Sequence, residues 1–84
     1  MIEKYGGIWI EIEKKDSTNI VFEEYFPDID KLQIISKRID GYYQPYSCTK
    51  KLDPQWRLAI WVPENDKTIL STIESAKNYL ISFV

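Results

Sequence analysis

Carboxylates are the side chains in this chain best placed for chemistry. Glu11 and Glu13 stand two apart, and Glu23 and Glu24 are adjacent. On a strand, spacing two puts Glu11 and Glu13 on one face, as carboxylate-pair hydrolysis or Mg²⁺ binding uses. The solvated face of an amphipathic strand accounts for the same spacing without any chemistry. Other actors are missing: the sequence has no histidine and one cysteine, Cys48. That excludes histidine acid–base catalysis, histidine triads and zinc sites built on His and Cys. A reactive Cys48 would need a cation or base beside it. Lys50 and Lys51 are near in sequence, but the expectation is a small buried side chain. The three glycines do not spell a phosphate-cradling loop. No catalytic residue, metal ligand or cofactor is assigned, and a non-enzyme is expected.

Binding is better served. Trp9 and Trp61 each fall opposite the aliphatic set of an alternating run. Ile8, Ile10 and Ile12 alternate with Trp9, Glu11 and Glu13; Trp56, Leu58, Ile60 and Val62 alternate with Arg57, Ala59 and Trp61. If helices cover the aliphatic faces, both indoles lie on the open face of a sheet with Glu11, Glu13, Tyr25 and Arg57. Aromatics among charges on an open face make a binding surface, although cross-strand packing uses the same residues with no partner. The expected partner-binding set is Trp9, Glu11, Glu13, Glu23, Glu24, Tyr25 and Trp61. A homodimer through that face would bury the same rings.

A second set interleaves cations with tyrosines: Lys37, Arg38, Tyr42, Tyr43, Tyr46, Lys50 and Lys51. Single-stranded nucleic acid is held by such combinations, cations on phosphates and rings on bases. A solvated loop with a lysine-protected edge strand reads the same way. Charge argues against nucleic acid. Residues 1–30 carry three Lys against eight acids, a net of −5, and that third of the chain repels phosphate. The whole chain has net charge −2, so the basic excess lies after residue 30.

These residues need elements to hold them. Eighty-four residues make one thin-cored domain, and the hydrophobic fraction of 44% is enough to fold it. The runs 8–13 and 20–26 read as two antiparallel strands joined by the polar 15–19 turn, the second stopped by Pro27. Asp30 with Gln33 resembles a capping box, and Leu32, Ile35 and Ile39 share a helical face, so 31–39 reads as helix. Asp40-Gly41 competes with that reading as a hairpin turn. Tyr42–Thr49 suits an edge strand because Pro45 lies inside it. Residues 50–54 read as a turn, and 56–62 as a strand stopped by Pro63. Asp66 caps a last helix with Ile69, Ile73, Ala76, Leu80 and Phe83 on its buried stripe.

A repeat supports this plan. Phe26-Pro27-Asp28-Ile29-Asp30-Lys31 matches Val62-Pro63-Glu64-Asn65-Asp66-Lys67 at an offset of 36. The expected fold is therefore α+β: a small two-layer ββαββα domain over 1–84, half-repeats roughly 6–40 and 42–84. Four antiparallel strands carry two helices on one face.

Phe26–Ile29 and the late helix Thr72–Leu80 resemble pieces of HicB-type antitoxins. Some 40 residues separate them here, more than in that family, and no family is assigned on them. The expected function is a small protein-binding module, such as an inhibitor, immunity or antitoxin-like protein, that occludes a partner with a basic surface. A single-stranded nucleic-acid binder is the alternative. Without a membrane-length apolar run or a secretory leader pattern, a cytoplasmic protein is expected.

Overall fold

The computed structural model describes residues 2–9, 19–55 and 57–84. Six strands form one sheet: β1 (Ile2–Lys4), β2 (Gly7–Trp9), β3 (Asn19–Phe26), β4 (Lys31–Lys37), β5 (Tyr43–Asp53) and β6 (Leu58–Pro63). One helix, α1 (Ile73–Ile81), follows. The strand order is β1-β2-β6-β5-β4-β3, antiparallel except for a parallel β2–β6 pair. The sheet curls into a half-barrel. The four-stranded antiparallel sheet with two helices is thus corrected to a six-stranded mixed sheet with one short helix. The expected hairpin of 8–13 with 20–26 also fails: β2 and β3 are separated by β6, β5 and β4. Residues 10–18, which include Glu11, Glu13 and the expected turn, lie outside the described residues.

Segment 31–39 is strand, not helix. Positions Leu32 to Ser36 are all buried, because β4 is covered on both faces. Leu32 and Ile34 join Trp9, Cys48 and Trp61 on one side. Ile35 packs with Ala76 and Leu80 of α1 on the other. A doubly covered strand loses its alternation, and a continuous apolar run then imitates a helix. Burying Leu32, Ile34 and Ile35 completely contributes about 1.5–3 kcal/mol each before ordering costs. Asp30 is not a helix cap; it closes the β3–β4 turn at φ 52°. Asp40 and Gly41 form the competing hairpin turn, in which the Asp40 carboxylate accepts from the Tyr42 amide at 3.1 Å.

Pro45 is the third residue of the 11-residue β5, which is a central strand rather than an edge. The reason is local. Beside Pro45 the β6 side holds no strand, since β6 reaches β5 only from Cys48 onward. Asn65 takes that place: its side chain accepts from the Ser47 amide at 2.8 Å and donates to the Pro45 carbonyl at 3.1 Å. The missing proline N–H costs nothing where an amide side chain replaces the strand. The expected turn at 50–54 is also strand as far as Asp53, and the chain reverses over 54–57.

The last helix starts later than expected. Thr72, not Asp66, is its N-cap, accepting from the Ser75 amide at 3.1 Å. Before it the chain runs extended, and Leu70 exchanges both backbone hydrogen bonds with Tyr43. Ala76 and Leu80 are buried, Ile73 and Phe83 half-buried, and Ile69 is exposed. Gln33 donates to the Leu80 carbonyl at 2.8 Å, and Lys31 donates to the Phe83 carbonyl, so β4 satisfies the helix's C-terminal acceptors. The two segments matched at offset 36 enter different elements: the first enters β4, the second the extended stretch before α1.

Candidate binding surface at the turn end

Three turns meet at one end of the half-barrel. β2 and β6 run parallel with Ile8 beside Ile60, so the turns preceding them, 5–6 and 54–57, lie at the same end. Lys31 begins β4 opposite Thr49 of β5, and β5 runs on to Asp53, which brings turn 27–30 to that end as well. Each turn holds a non-glycine residue in the left-handed region: Tyr5 at φ 50°, Asp30 at 52° and Arg57 at 54°. For residues with a Cβ this conformation costs about 1–2 kcal/mol, and such strain gathers at functional sites.

The sequence explains the turns locally. Lys4 pairs with Gly7 around Tyr5-Gly6, a two-residue hairpin in which both residues need positive φ. Gly6 also sits where a side chain would begin 3.3 Å from the Lys50 ammonium. The other two turns share one plan: a proline first (Pro27, Pro54) and the left-handed residue fourth (Asp30, Arg57). Asp53 supports its turn by accepting from the Gln55 amide at 2.8 Å, while its carbonyl accepts from the Arg57 amide at 2.7 Å.

A polar and aromatic network ties the β1–β2 and β3–β4 turns to β3, β5 and β6. The Tyr5 and Tyr25 rings stack with centroids 4.6 Å apart, and Tyr25 meets Trp61 edge-on at 6.1 Å. Lys50 lies 5.0 Å from the Trp61 ring and 3.0 Å from the Asp30 carboxylate. The Tyr25 hydroxyl donates to the same carboxylate at 3.3 Å. Trp61 donates from its indole nitrogen to the Lys4 carbonyl at 2.7 Å. Lys4 reaches Glu23 at 2.6 Å, and the Tyr5 hydroxyl donates to the other oxygen of that carboxylate at 3.0 Å. Partial burial pushes the Glu23 carboxyl upward, but hydrogen bonds from Lys4 and Tyr5 and the Lys4 charge bring it below the usual carboxylate value. The same hydrogen bond, with the negative charge of Glu23, raises the Tyr5 phenol. At this end Tyr5, Ile29 and Leu52 are exposed, the last 70%. Arg57 and Asp28 are exposed in two of the turns, while Leu58 and Lys51 are exposed on the other face of the sheet.

The expected binding residues fall in three places. Trp9 and Trp61 are 3% and 2% exposed, so the face carrying them is core and not an open surface. The helix does lie on the side opposite the indoles, as assumed, but that leaves no open face, because the curl of the sheet closes over Trp9 and Trp61. Tyr25 is half-buried in the same group, and Glu23 serves the Lys4–Tyr5 network; Glu24 is exposed on β3. Glu11 and Glu13 lie outside the described residues.

Strand alternation divides the basic tyrosine segment. Tyr46 packs edge-on to Trp9 and Lys50 lies over Trp61 on one face. Tyr43 packs with Ile35 and α1 on the other. Lys37 lies 5.9 Å from the Tyr43 ring centroid, and Arg38 pairs with Asp40. Tyr42 and Lys51 are exposed at opposite ends of β5. Cys48 is fully buried, and that burial, with the charge of Glu64, pushes its thiol up to about 12. A thiol held there is unreactive at neutral pH.

Sequence reasoning missed Tyr5, Ile29, Asp30 and Leu52 as site residues; it set Arg57 on the expected open face but not in the binding set. The matched lengths of the two proline-led turns, 27–30 and 54–57, were the available signal. Among the described residues no helix is long and apolar enough to cross a membrane, and no group of His, Cys, Asp and Glu stands ready for a metal. Compared with protein-family models, curated proteins and solved structures, the chain has no match.

Proposed function

We propose that this chain is a protein-binding module without catalytic activity, and that it docks by its turn end. The observation carrying this reading is the convergence of three left-handed, non-glycine turn residues beside exposed Tyr5, Ile29 and Leu52. A surface already fixed before contact loses little freedom on binding, which favours affinity. The partner is another protein. Charges of both signs, Arg57 against Asp28, stand in the same turns as the apolar groups, a mixture that suits a protein surface better than a phosphate backbone or an anionic membrane. An inhibitor or immunity-type role, occluding a surface of its target, is consistent with such a rigid end.

The test compares two variants in capture from native lysate after nuclease treatment. Ile29→Asp with Leu52→Asp should keep the fold, since both side chains are exposed, and should lose the captured protein. Ile81→Asp, an exposed control on α1, should retain it. Equal capture by all three proteins would refute the assignment. Capture abolished by nuclease would move the function to nucleic acid.

A further inference from the structure

The outer edge of β3 forms a second surface, adjoining the turn end through the Glu23 and Tyr25 side chains. We infer that this edge takes an added strand from a basic segment of another protein.

The direction of each backbone group on β3 follows from contacts two strands away. Ser47 turns its amide to Asn65 and its carbonyl to Glu64, on the β6 side of β5. Its neighbours Tyr46 and Cys48 therefore face β4, opposite Ile34 and Leu32. By alternation Lys31, Gln33 and Ile35 face β3, where they meet Phe26, Glu24 and Phe22. Glu23 and Tyr25 thus point their N–H and C=O groups away from the sheet. Among the described residues no strand pairs with that side, since β3 ends the strand order. An edge of this kind is a template for strand addition.

Charge selects the occupant. Glu24 is exposed midway along β3 and makes no ion pair among the described residues. Asp28 is exposed just beyond the strand, and β3 itself contains no cation. Lysine or arginine on the incoming strand beside Glu24 supplies the missing charge. A second copy of this chain fits poorly. The register shift between Ile20 and Phe22 leaves Phe22–Phe26 as the regular stretch. Antiparallel self-pairing over that stretch centres on Glu24 and sets two like charges opposite each other.

The test uses isotope-labelled protein and a capped synthetic peptide of alternating lysine and valine. Amide hydrogen exchange read by NMR should show the Glu23 and Tyr25 amides protected by the peptide, with the Glu24 amide unchanged. Glu24→Lys should weaken peptide binding by about fivefold or more. The turn-end pair Ile29→Asp and Leu52→Asp should leave it unaltered, which keeps this surface distinguishable from the other. Lack of protection by the basic peptide would overturn the inference. So would equal protection by a peptide of alternating glutamate and valine. Protection of the same amides that rises with protein concentration alone would assign the edge to a second copy instead.

Discussion

Gly7→Ala should destabilise the protein although it adds one methyl group. A Cβ on Gly7 would lie 2.7 Å from the Trp61 indole nitrogen and 3.0 Å from two neighbouring ring carbons. Trp61 has nowhere to go. It is 2% exposed, it donates to the Lys4 carbonyl at 2.7 Å, and it is flanked by Tyr25 and Lys50. Overpacking of this kind costs about 1–3 kcal/mol. Displacing the indole hydrogen bond adds about 1 kcal/mol. Against that, alanine in a strand gains about 0.5–1 kcal/mol over glycine, so the net loss is about 1–3 kcal/mol. For a domain of this size each kcal/mol moves Tm by about 4–8 °C, so a fall of roughly 5–20 °C is expected. Circular dichroism melts of wild type, Gly7→Ala, Trp61→Phe and the double variant read this directly. Phenylalanine lacks the indole nitrogen that makes the closest contact, so Gly7→Ala should cost at least about 0.5 kcal/mol less in that background. A Gly7→Ala melt within about 2 °C of wild type, or strictly additive losses, would refute the steric argument.

Two further outcomes follow from the turn end. Arg57→Gly relieves a left-handed arginine and should stabilise the fold by about 0.5–1 kcal/mol, while weakening capture of the partner if Arg57 contributes to the docking surface; a lower Tm would contradict the strain. Glu23→Gln removes a carboxylate whose folded value lies below its unfolded one. The unfolded chain therefore takes up this proton first as pH falls. The stability from the Lys4–Glu23 pair, about 0.2–1 kcal/mol, is full above the unfolded carboxylate value and is lost as pH drops through the folded one. Urea midpoints of wild type and Glu23→Gln should differ at pH 7 and converge in acid; a gap that widens in acid would reverse the assignment.

Alternation made β2 and β6 legible, β-branched and aromatic residues made β3 so, and proline marked where β3 and β6 end. Alternation could not say which face was inside. A period of two shows that Trp61 and Ala59 share a side, but not that the indole side is the core. In β6 that choice is made by the curl of the sheet, which brings Tyr25 and Tyr5 over Trp61 from distant strands. β4 misled for the opposite reason: covered on both faces, it showed no period. Asp30 was a plausible helix cap because short polar side chains serve caps and left-handed turns alike. Asp66 was the expected cap for α1, but pairing of Leu70 with Tyr43 keeps the chain out of helix until Thr72. The turn end depended on β2 lying beside β6, a pairing that no local pattern encodes.

That parallel pairing also divides the molecule in time. β3, β4, β5 and β6 follow one another as a meander of hairpins, each closing on its neighbour in the chain. β1 and β2 form their own hairpin, and among the described residues their strand pairing to the rest of the sheet runs through β6, some fifty residues away. Local hairpins close at little entropic cost, whereas the distant junction needs a long loop brought together. The meander is thus a natural first unit and the N-terminal hairpin the last to dock and the first to leave. When it leaves, the Lys4 carbonyl withdraws from Trp61 and the Tyr5 ring lifts from Tyr25. Opening of a single three-residue strand pair would then dismantle the frame beneath the turn end while the rest of the sheet stays closed.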